Sequence, residues 1–256
     1  MLAVSRARIL FFLIVSVYAW HCPCGGWVAH AQQVSPLLTE LESAGKGARS
    51  KIIVKNDAVG AIAIQIDVEE RRFDASGMEM RLPANEDLLI FPPQALIHSG
   101  REQVLDVQWR GGPPTTSQSY AISISRVPVD LLGRRDGNGV QFEVSFETYL
   151  HVSPPGARSE IALSAQSLTQ EEDGSRHIDF DISNIGDRHA YLSVSGALQL
   201  YGKNQSGHTV LLADWRGDDL IRLLGGDTLV APGVKRRFQV SLPEGAGEDS
   251  RVRWSK

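Results

Sequence analysis

The chain is poor in cysteine, in basic charge and in helical periodicity. Its two cysteines, Cys22 and Cys24, lie near the N-terminus, so no disulfide framework can hold the later residues together. The most pronounced apolar run covers residues 9–20. This run of twelve falls short of the roughly 20 residues that span a bilayer, and no later run is long enough for a membrane helix. The chain must therefore fold around hydrophobic cores of its own.

Residues 1–31 have the pattern of a secretory signal peptide. Arg6 and Arg8 form a basic start, and the apolar run follows. The small residues Ala29 and Ala31 then precede a cleavage position after Ala31. This order predicts export and removal of residues 1–31. Cleavage after Ala31 removes both cysteines and leaves enough chain for two domains of about 100 to 120 residues each.

The remaining composition argues against catalysis and against nucleic-acid binding. Without the signal peptide, 30 acidic residues face 24 basic ones, and the charges are mixed along the chain with no basic stripe. Nucleophile elbows, zinc-protease motifs, phosphate-binding glycine loops and dinucleotide fingerprints are all missing from the sequence. The histidines are scattered and are interpreted as surface residues: His98, His151, His177, His189 and His208. We therefore expect a non-enzyme with no cofactor and no metal ligands.

Short strand-forming segments separated by turn residues predict an all-β chain with the spacing of β-sandwiches. Residues 220–224 fit a strand, or a turn of helix that begins at Asp218. The predicted strands are 34–41, 50–56, 61–69, 88–91, 103–109, 119–127, 140–152, 160–168, 176–183, 190–201, 208–215, 220–224, 228–231, 235–242 and 251–255.

A faint internal repeat indicates two similar domains. Asn56 ends a strand in the first half, and Asn184 ends one in the second half. Gly100 precedes a later strand in the first half, and Gly233 has the same place in the second, again about 130 residues on. We predict an N-terminal domain over residues 32–153 and a C-terminal domain over 154–256, divided near Pro154-Pro155-Gly156.

Residues 140–152 alternate apolar and polar side chains over an unusually long run, since most strands have about five or six residues. A period of two places Val140, Phe142, Val144 and Phe146 on one face. Such a row usually faces the core of its own domain. A long, two-faced strand can also offer an edge to another chain.

The order of these segments resembles the periplasmic pilus (fimbrial) chaperones of chaperone–usher systems. The resemblance is carried by Ile53-Val54-Lys55-Asn56, by residues 88–97 with Pro92-Pro93, by residues 119–129 that end in a proline turn, and by the alternating strand 140–152. It implies two immunoglobulin-like β-sandwich domains preceded by a cleavable signal peptide. It also implies a chaperone that caps incomplete subunits by donating its long strand. By position, Val140, Phe142, Val144 and Phe146 match the inserted side chains.

The resemblance further implies pilus or fibre subunits and an outer-membrane usher as partners, with a periplasmic location. The exposed apolar edge adds possible self-association of the free form. The alternative is a secreted two-domain β-sandwich that binds a ligand or a surface with its loops.

The sequence departs from this family at its charged positions. The family's arginine and lysine that hold the subunit carboxylate align with Glu40 and Tyr149, neither of which is basic. The carboxylate anchor is therefore unknown from the sequence. The family's buried arginine–glutamate pair aligns with Asp106 and Ser117 and is expected to be absent. The candidate substitute cations are Lys51, Lys55 and Arg126.

Overall fold

The computed structural model describes residues 32–74, 76–127, 145–204, 206–243 and 246–256. The predicted signal peptide and the donor-strand residues Val140, Phe142 and Val144 lie outside the described residues. The strands are β1 (Gln32–Ser35), β2 (Leu38–Glu42), β3 (Arg49–Asn56), β4 (Ile62–Phe73), β5 (Glu79–Pro83), β6 (Leu88–Phe91), β7 (Gln94–Ile97), β8 (Glu102–Trp109), β9 (Gln118–Val127), β10 (Ser145–Ser153), β11 (Ile161–Gln170), β12 (Arg176–Asn184), β13 (Ala190–Tyr191), β14 (Ala197–Lys203), β15 (Thr209–Trp215), β16 (Leu229–Val230), β17 (Lys235–Ser241) and β18 (Arg251–Ser255).

Helical structure is sparse, as the sequence predicts. A 3-10 helix covers Gly45–Ala48, and two short α-helices follow, α1 (Leu192–Ser195) and α2 (Gly217–Leu223). Asp218 and Asp219 lie in the first turn of α2, where the helix dipole favours negative charge. In the described part of the chain, every helix is too short or too polar to cross a membrane.

The first sandwich consists of two sheets. One has the strand order β1-β3-β8-β6, and the other has the order β2-β10-β9-β4-β5, with β7 paired to β4. The chain changes sheets between β1 and β2, where Pro36 has no N–H to donate to a ladder. Alternate side chains of both sheets meet in one core, and its innermost members include Ile52, Leu105, Tyr120 and Leu150.

The second sandwich has a core of its own. Its sheets have the orders β11-β12-β17 and β15-β14-β18, and the short pair β13-β16 lies alongside. Phe180, Ile182, Leu198 and Val252 are fully buried between them. The chain is thus all-β and forms two β-sandwiches. The predicted boundary at residues 153–154 stays a prediction.

Asn56, the first of the two repeated asparagines, closes the turn after β3 through its side chain. Its side-chain amide donates to the carbonyls of Gly60 at 2.8 Å and Ile97 at 2.9 Å. Its side-chain oxygen accepts from the N–H of Ala58, and its own carbonyl accepts from Gly100. The side chain is fully buried, so it replaces the backbone partners that the turn after β3 lacks.

Asn184 repeats this arrangement in the second sandwich. Its amide donates to the carbonyls of Arg188 at 2.7 Å and Val230 at 3.0 Å. Its side-chain oxygen accepts from Gly186, and its carbonyl accepts from Gly233. The two asparagines therefore have the same structural role in the two sandwiches.

Several predicted strands differ from those in the structure. The predicted strand 34–41 is divided into β1 and β2, and 190–201 is interrupted by α1. Residues 220–223 form the end of α2 and Leu224 is its C-cap, so this segment is the turn of helix and not the strand. The strands β5 and β7 were not predicted, because Glu-Met-Arg-Leu-Pro has no β-branched or aromatic residue and Gln-Ala-Leu-Ile has one.

We expect Asn184→Ala to lower the free energy of unfolding by about 2–3 kcal/mol, because it leaves several buried backbone groups without partners. Asn204→Ala is the matched control, since Asn204 makes similar local bonds at an exposed turn where water replaces them. Urea unfolding of both variants measures the difference. Equal losses in the two variants would contradict the structural role of the buried asparagine.

Candidate functional site

The two faces of β10 have different surroundings. Thr148, Leu150 and Val152 point into the first core and are fully buried. Phe146 shares their face and packs partly buried against the same core. On the opposite face, His151 is also fully buried. The C-terminal half of β10 is therefore enclosed on both faces, as expected for Leu150 and Val152.

The two edges of β10 are covered to different lengths. On one edge, β10 pairs antiparallel with β9 from Ser145 to Val152. On the other edge, β2 pairs parallel with it only from Tyr149 to Ser153. Thr148 marks the junction, because its hydroxyl donates to the carbonyl of Pro36 at 2.8 Å. Within the described residues, Ser145 to Glu147 thus have no strand on the β2 side.

A row of charged side chains crosses the outer face of the sheet that contains β10. Arg81 of β5 forms ion pairs with Glu147 of β10 and, at 2.7 Å, with Glu79. Glu79 also accepts from Arg71 at 2.6 Å. Two strands, β9 and β4, separate β5 from β10. Strand β9 presents small side chains such as Ala121 to this face, and Glu69 of β4 lies 3.6 Å from Arg81, so the long arginine reaches across to Glu147. The ion pair with Arg81 ties β10 to the β4–β5 hairpin.

Arg71 is the most enclosed charge of this row. Its side chain is 8% exposed, and its guanidinium lies 4.4 Å from the ring centre of Tyr149. Its hydrogen bond lowers the pKa of Glu79 below the usual range, and burial opposes that change. The hydroxyl of Tyr149 donates to Glu147 at 2.6 Å, which raises the pKa of the tyrosine. Sequence reasoning missed Arg71, because the charged stretch Glu69-Glu70-Arg71-Arg72 carries no motif.

A pocket of about 400 Å³ opens beside Arg71. It lies between the two sandwiches, and its carboxylates, Glu79 and Asp227, are each paired with an arginine. The pocket is therefore close to neutral and has two tyrosine rings. Its lining residues are Arg71, Glu79, Tyr149, Tyr191, Gly226, Asp227 and Leu229.

Glu40, which aligns with a cation in the family, is engaged with the second sandwich. It accepts from His189 Nε2 at 2.8 Å and from Arg188 at 3.0 Å. Burial alone would raise the pKa of Glu40, but the hydrogen bond and charge of His189, with the charge of Arg188, hold it below the usual range. The negative charge of Glu40 is thus balanced by His189 and Arg188 in the contact between the sandwiches.

The positions that align with the family's buried ion pair, and the candidate substitute cations, lie away from this contact, with one exception. Asp106 and Lys51 form an exposed pair 4.0 Å apart, and Lys55 pairs with Asp57 at 3.0 Å. Ser117 is the exception, since its hydroxyl accepts from the backbone N–H of His189 at 2.7 Å. Arg126, the remaining candidate cation, is exposed on β9.

Two histidines predicted to lie on the surface are buried between the sandwiches. The rings of His151 and His189 stack with centres 3.8 Å apart and planes 25° apart. His151 Nδ1 lies 2.8 Å from the hydroxyl of Ser119, and Nε2 lies 2.8 Å from that of Tyr191. The prediction is wrong for both residues because each is covered by the other sandwich, which sequence periodicity does not report. The surface prediction is also wrong for His177, which is buried, whereas His98 and His208 are exposed as predicted.

Glu40, His151 and His189 bring three potential metal ligands within 4.8 Å of one another. A ring nitrogen binds a metal along its lone pair, which lies in the plane of the ring. Because the two rings are stacked, their lone pairs run side by side and do not converge on one point. The arrangement is therefore a hydrogen-bonded contact and not a preformed metal centre.

Comparisons with known proteins agree with this architecture. No protein-family model and no curated protein matches the chain. Among solved structures, the class 5 fimbriae chaperone CfaA has a TM-score of 0.54 at 12% identity and covers 88% of this chain and 99% of its own. A chaperone–tip adhesion subunit pre-assembly complex of archaic Csu pili from Acinetobacter baumannii gives a TM-score of 0.51 at 15% identity, covering 88% and 97%.

A chaperone–tip adhesin complex of CFA/I fimbriae is similar to the same degree, with a TM-score of 0.52 at 11% identity, covering 88% of this chain and 98% of the other. The chain therefore has the two-domain β-sandwich fold of the fimbrial chaperones. The resemblance inferred from the sequence is confirmed at the level of the fold, with the low identity of a divergent chain.

We expect Glu79→Gln to lower the free energy of unfolding by about 2 kcal/mol at pH 7, because it leaves the buried Arg71 without its counter-charge. The pKa of Glu79 is lowered on folding, so its contribution is present above the unfolded value of about 4.3 and is lost as the pH falls through the folded value. The loss should therefore shrink towards pH 3, as measured by urea unfolding at both pH values.

Asp106→Asn is the matched control, because it removes a carboxylate from an exposed pair that is worth about 0–1 kcal/mol. A Glu79→Gln variant that behaves like this control at pH 7 would show that Arg71 does not depend on Glu79.

Proposed function

We propose that the chain is a periplasmic chaperone that binds and caps incomplete pilus subunits by donating an edge strand, and that delivers them to an outer-membrane usher. The fold supports this proposal, because the similar structures include chaperones in complex with tip subunits of fimbriae. The observation that carries it is the partly uncovered edge of β10. This edge begins where the alternating row of the sequence leads into the sandwich.

The uncovered edge is suited to strand addition. Backbone N–H and C=O groups of an unpaired edge bind an extended segment through main-chain hydrogen bonds, and alternate side chains supply specificity. Phe146 shares the face of the buried Leu150. The period of two assigns Val140, Phe142 and Val144 to the same face in the proposal. Phe146 then lies between the side chains that are buried in the chaperone's own core and those that insert into the subunit.

The free energy gained by burying the donated apolar side chains is sufficient to hold a subunit. Each fully buried apolar side chain is worth roughly 1.5–3 kcal/mol, so four of them give on the order of 6–12 kcal/mol before ordering costs. A subunit that lacks a strand exposes its core and gains this energy from the chaperone. No nucleotide is required, because the unfinished surface of the subunit supplies the driving force.

We expect Phe142→Asp to abolish subunit capture and to leave the fold of the chaperone unchanged, because its side chain serves the partner's core in this proposal. Gln141→Asp is the matched control, with the same charge one position away on the opposite face, and should retain capture. The measurement is co-purification of a small β-rich protein after periplasmic expression together with the neighbouring genes, with circular dichroism as the check on folding.

Unfolding of the Phe142→Asp variant would place that side chain in the domain's own core and remove the main support for strand donation. Capture that survives Phe142→Asp but is lost after loop substitutions would favour the alternative, a two-domain module that binds a ligand or a surface.

A further inference from the structure

The stacked histidines join the two sandwiches at one point. His151 belongs to β10 of the first sandwich, and His189 directly precedes β13 of the second. Both side chains are shielded from solvent, with residue exposures of 0% and 5%. Neighbouring bonds reinforce the contact, since the N–H of Ser117 donates to the carbonyl of Asp187 at 2.8 Å. The contact therefore fixes one sandwich against the other through two titratable rings.

The charged and titratable groups around the two rings differ. His189 has the carboxylate of Glu40 at 2.8 Å. His151 is hydrogen-bonded to two neutral hydroxyl groups, those of Ser119 and Tyr191. Among the described residues, the charged or titratable groups that act on the pair include Glu40 from β2, Arg71 from β4, Arg188 from the turn before β13, and Tyr191 of β13.

One positive charge is tolerated in this contact, and a second is not. A proton on His189 is balanced by Glu40. A proton on His151 has no carboxylate partner and meets the second ring only 3.8 Å away, where water is excluded. Burial first, and then the charges of His189, Arg71 and Arg188, hold the pKa of His151 well below 6.5.

We propose that the His151–His189 stack is a proton-operated contact, in which acid separates the two sandwiches at this point. In the separated state the ring of His151 is hydrated and its pKa returns to about 6.5. Each pH unit below that value therefore raises the ratio of separated to closed molecules by up to about tenfold. Because His151 lies on β10, the separation also changes the surroundings of the strand edge described above.

The test measures the distance between the sandwiches as a function of pH. Val59 in the first sandwich and Val194 in the second are 93% and 86% exposed and accept cysteine spin labels without disturbing a core. Cys22 and Cys24 are replaced by serine in the full chain. Distance distributions by electron spin resonance at pH 7.5, 6.5, 5.5 and 5.0 should show one population at pH 7.5 and a growing second population below pH 6.5.

His189→Gln is the informative variant, because a glutamine amide can still donate to Glu40 but carries no charge that would oppose a proton on the neighbouring His151. It should reduce the growth of the second population at least several-fold at pH 5.0. His98→Gln is the matched control, since His98 is exposed in the first sandwich, and it should respond like the unaltered chain.

Two results overturn the proposal: distances that are unchanged between pH 7.5 and 5.0, or an equal response of His189→Gln and His98→Gln. If the His189→Gln variant does not fold, nuclear magnetic resonance of the unaltered chain replaces it, with the histidine ring signals followed as a function of pH. The His151 ring must then titrate together with the change in distance, and titration of His151 without a distance change contradicts the proposal.

Discussion

The structure depends on the unequal pairing of β10. One edge of this strand is paired with β9 along almost its whole length, whereas β2 covers the other edge only from Tyr149 onwards. The covered half anchors the strand, because Leu150 and Val152 are fully buried. Within the described residues, the remaining part, Ser145 to Glu147, has no strand on the β2 side. A single strand is thereby anchored in its own sandwich at one end and, in the proposed function, pairs with a partner at the other.

The same strand connects the other parts of the site. Glu147 joins the charged row that reaches β5, Tyr149 lies under Arg71, and His151 meets His189 of the second sandwich. These three residues alternate with the core-facing side chains, so they share the outer face of β10. The charged row, the pocket and the contact between the sandwiches are therefore built from alternate positions of one strand.

Much of the fold follows from local sequence. Strand periodicity predicted most of the strands, and the repeat of Asn56 and Asn184 predicted two related sandwiches, because a buried asparagine at a strand end supplies the bonds that a tight turn needs. The buried ends Leu150 and Val152 also follow from alternation. The short strands β5 and β7 do not, because they contain at most one β-branched or aromatic residue each.

The candidate site was less predictable, because its contacts join residues that are distant in the chain. From the sequence, Glu40 was only a non-basic residue at a position that is basic in the family, whereas the structure pairs it with His189 and Arg188 of the other sandwich. His151 was interpreted as a surface residue for the same reason. Arg71 became visible only when the β4–β5 hairpin placed it beside Tyr149. Contacts across two domains leave no spacing in the sequence that could reveal them.

The central claim is that the uncovered edge of β10 pairs with a strand of a partner. Amide hydrogen exchange, followed by mass spectrometry on the free chain and on the complex recovered from periplasmic co-expression, tests it directly. The account predicts strong slowing of exchange in the complex for peptides covering residues 140–148, with little change for the already enclosed residues 149–153. Unchanged exchange over 140–148, with protection confined to loops elsewhere, would contradict strand donation.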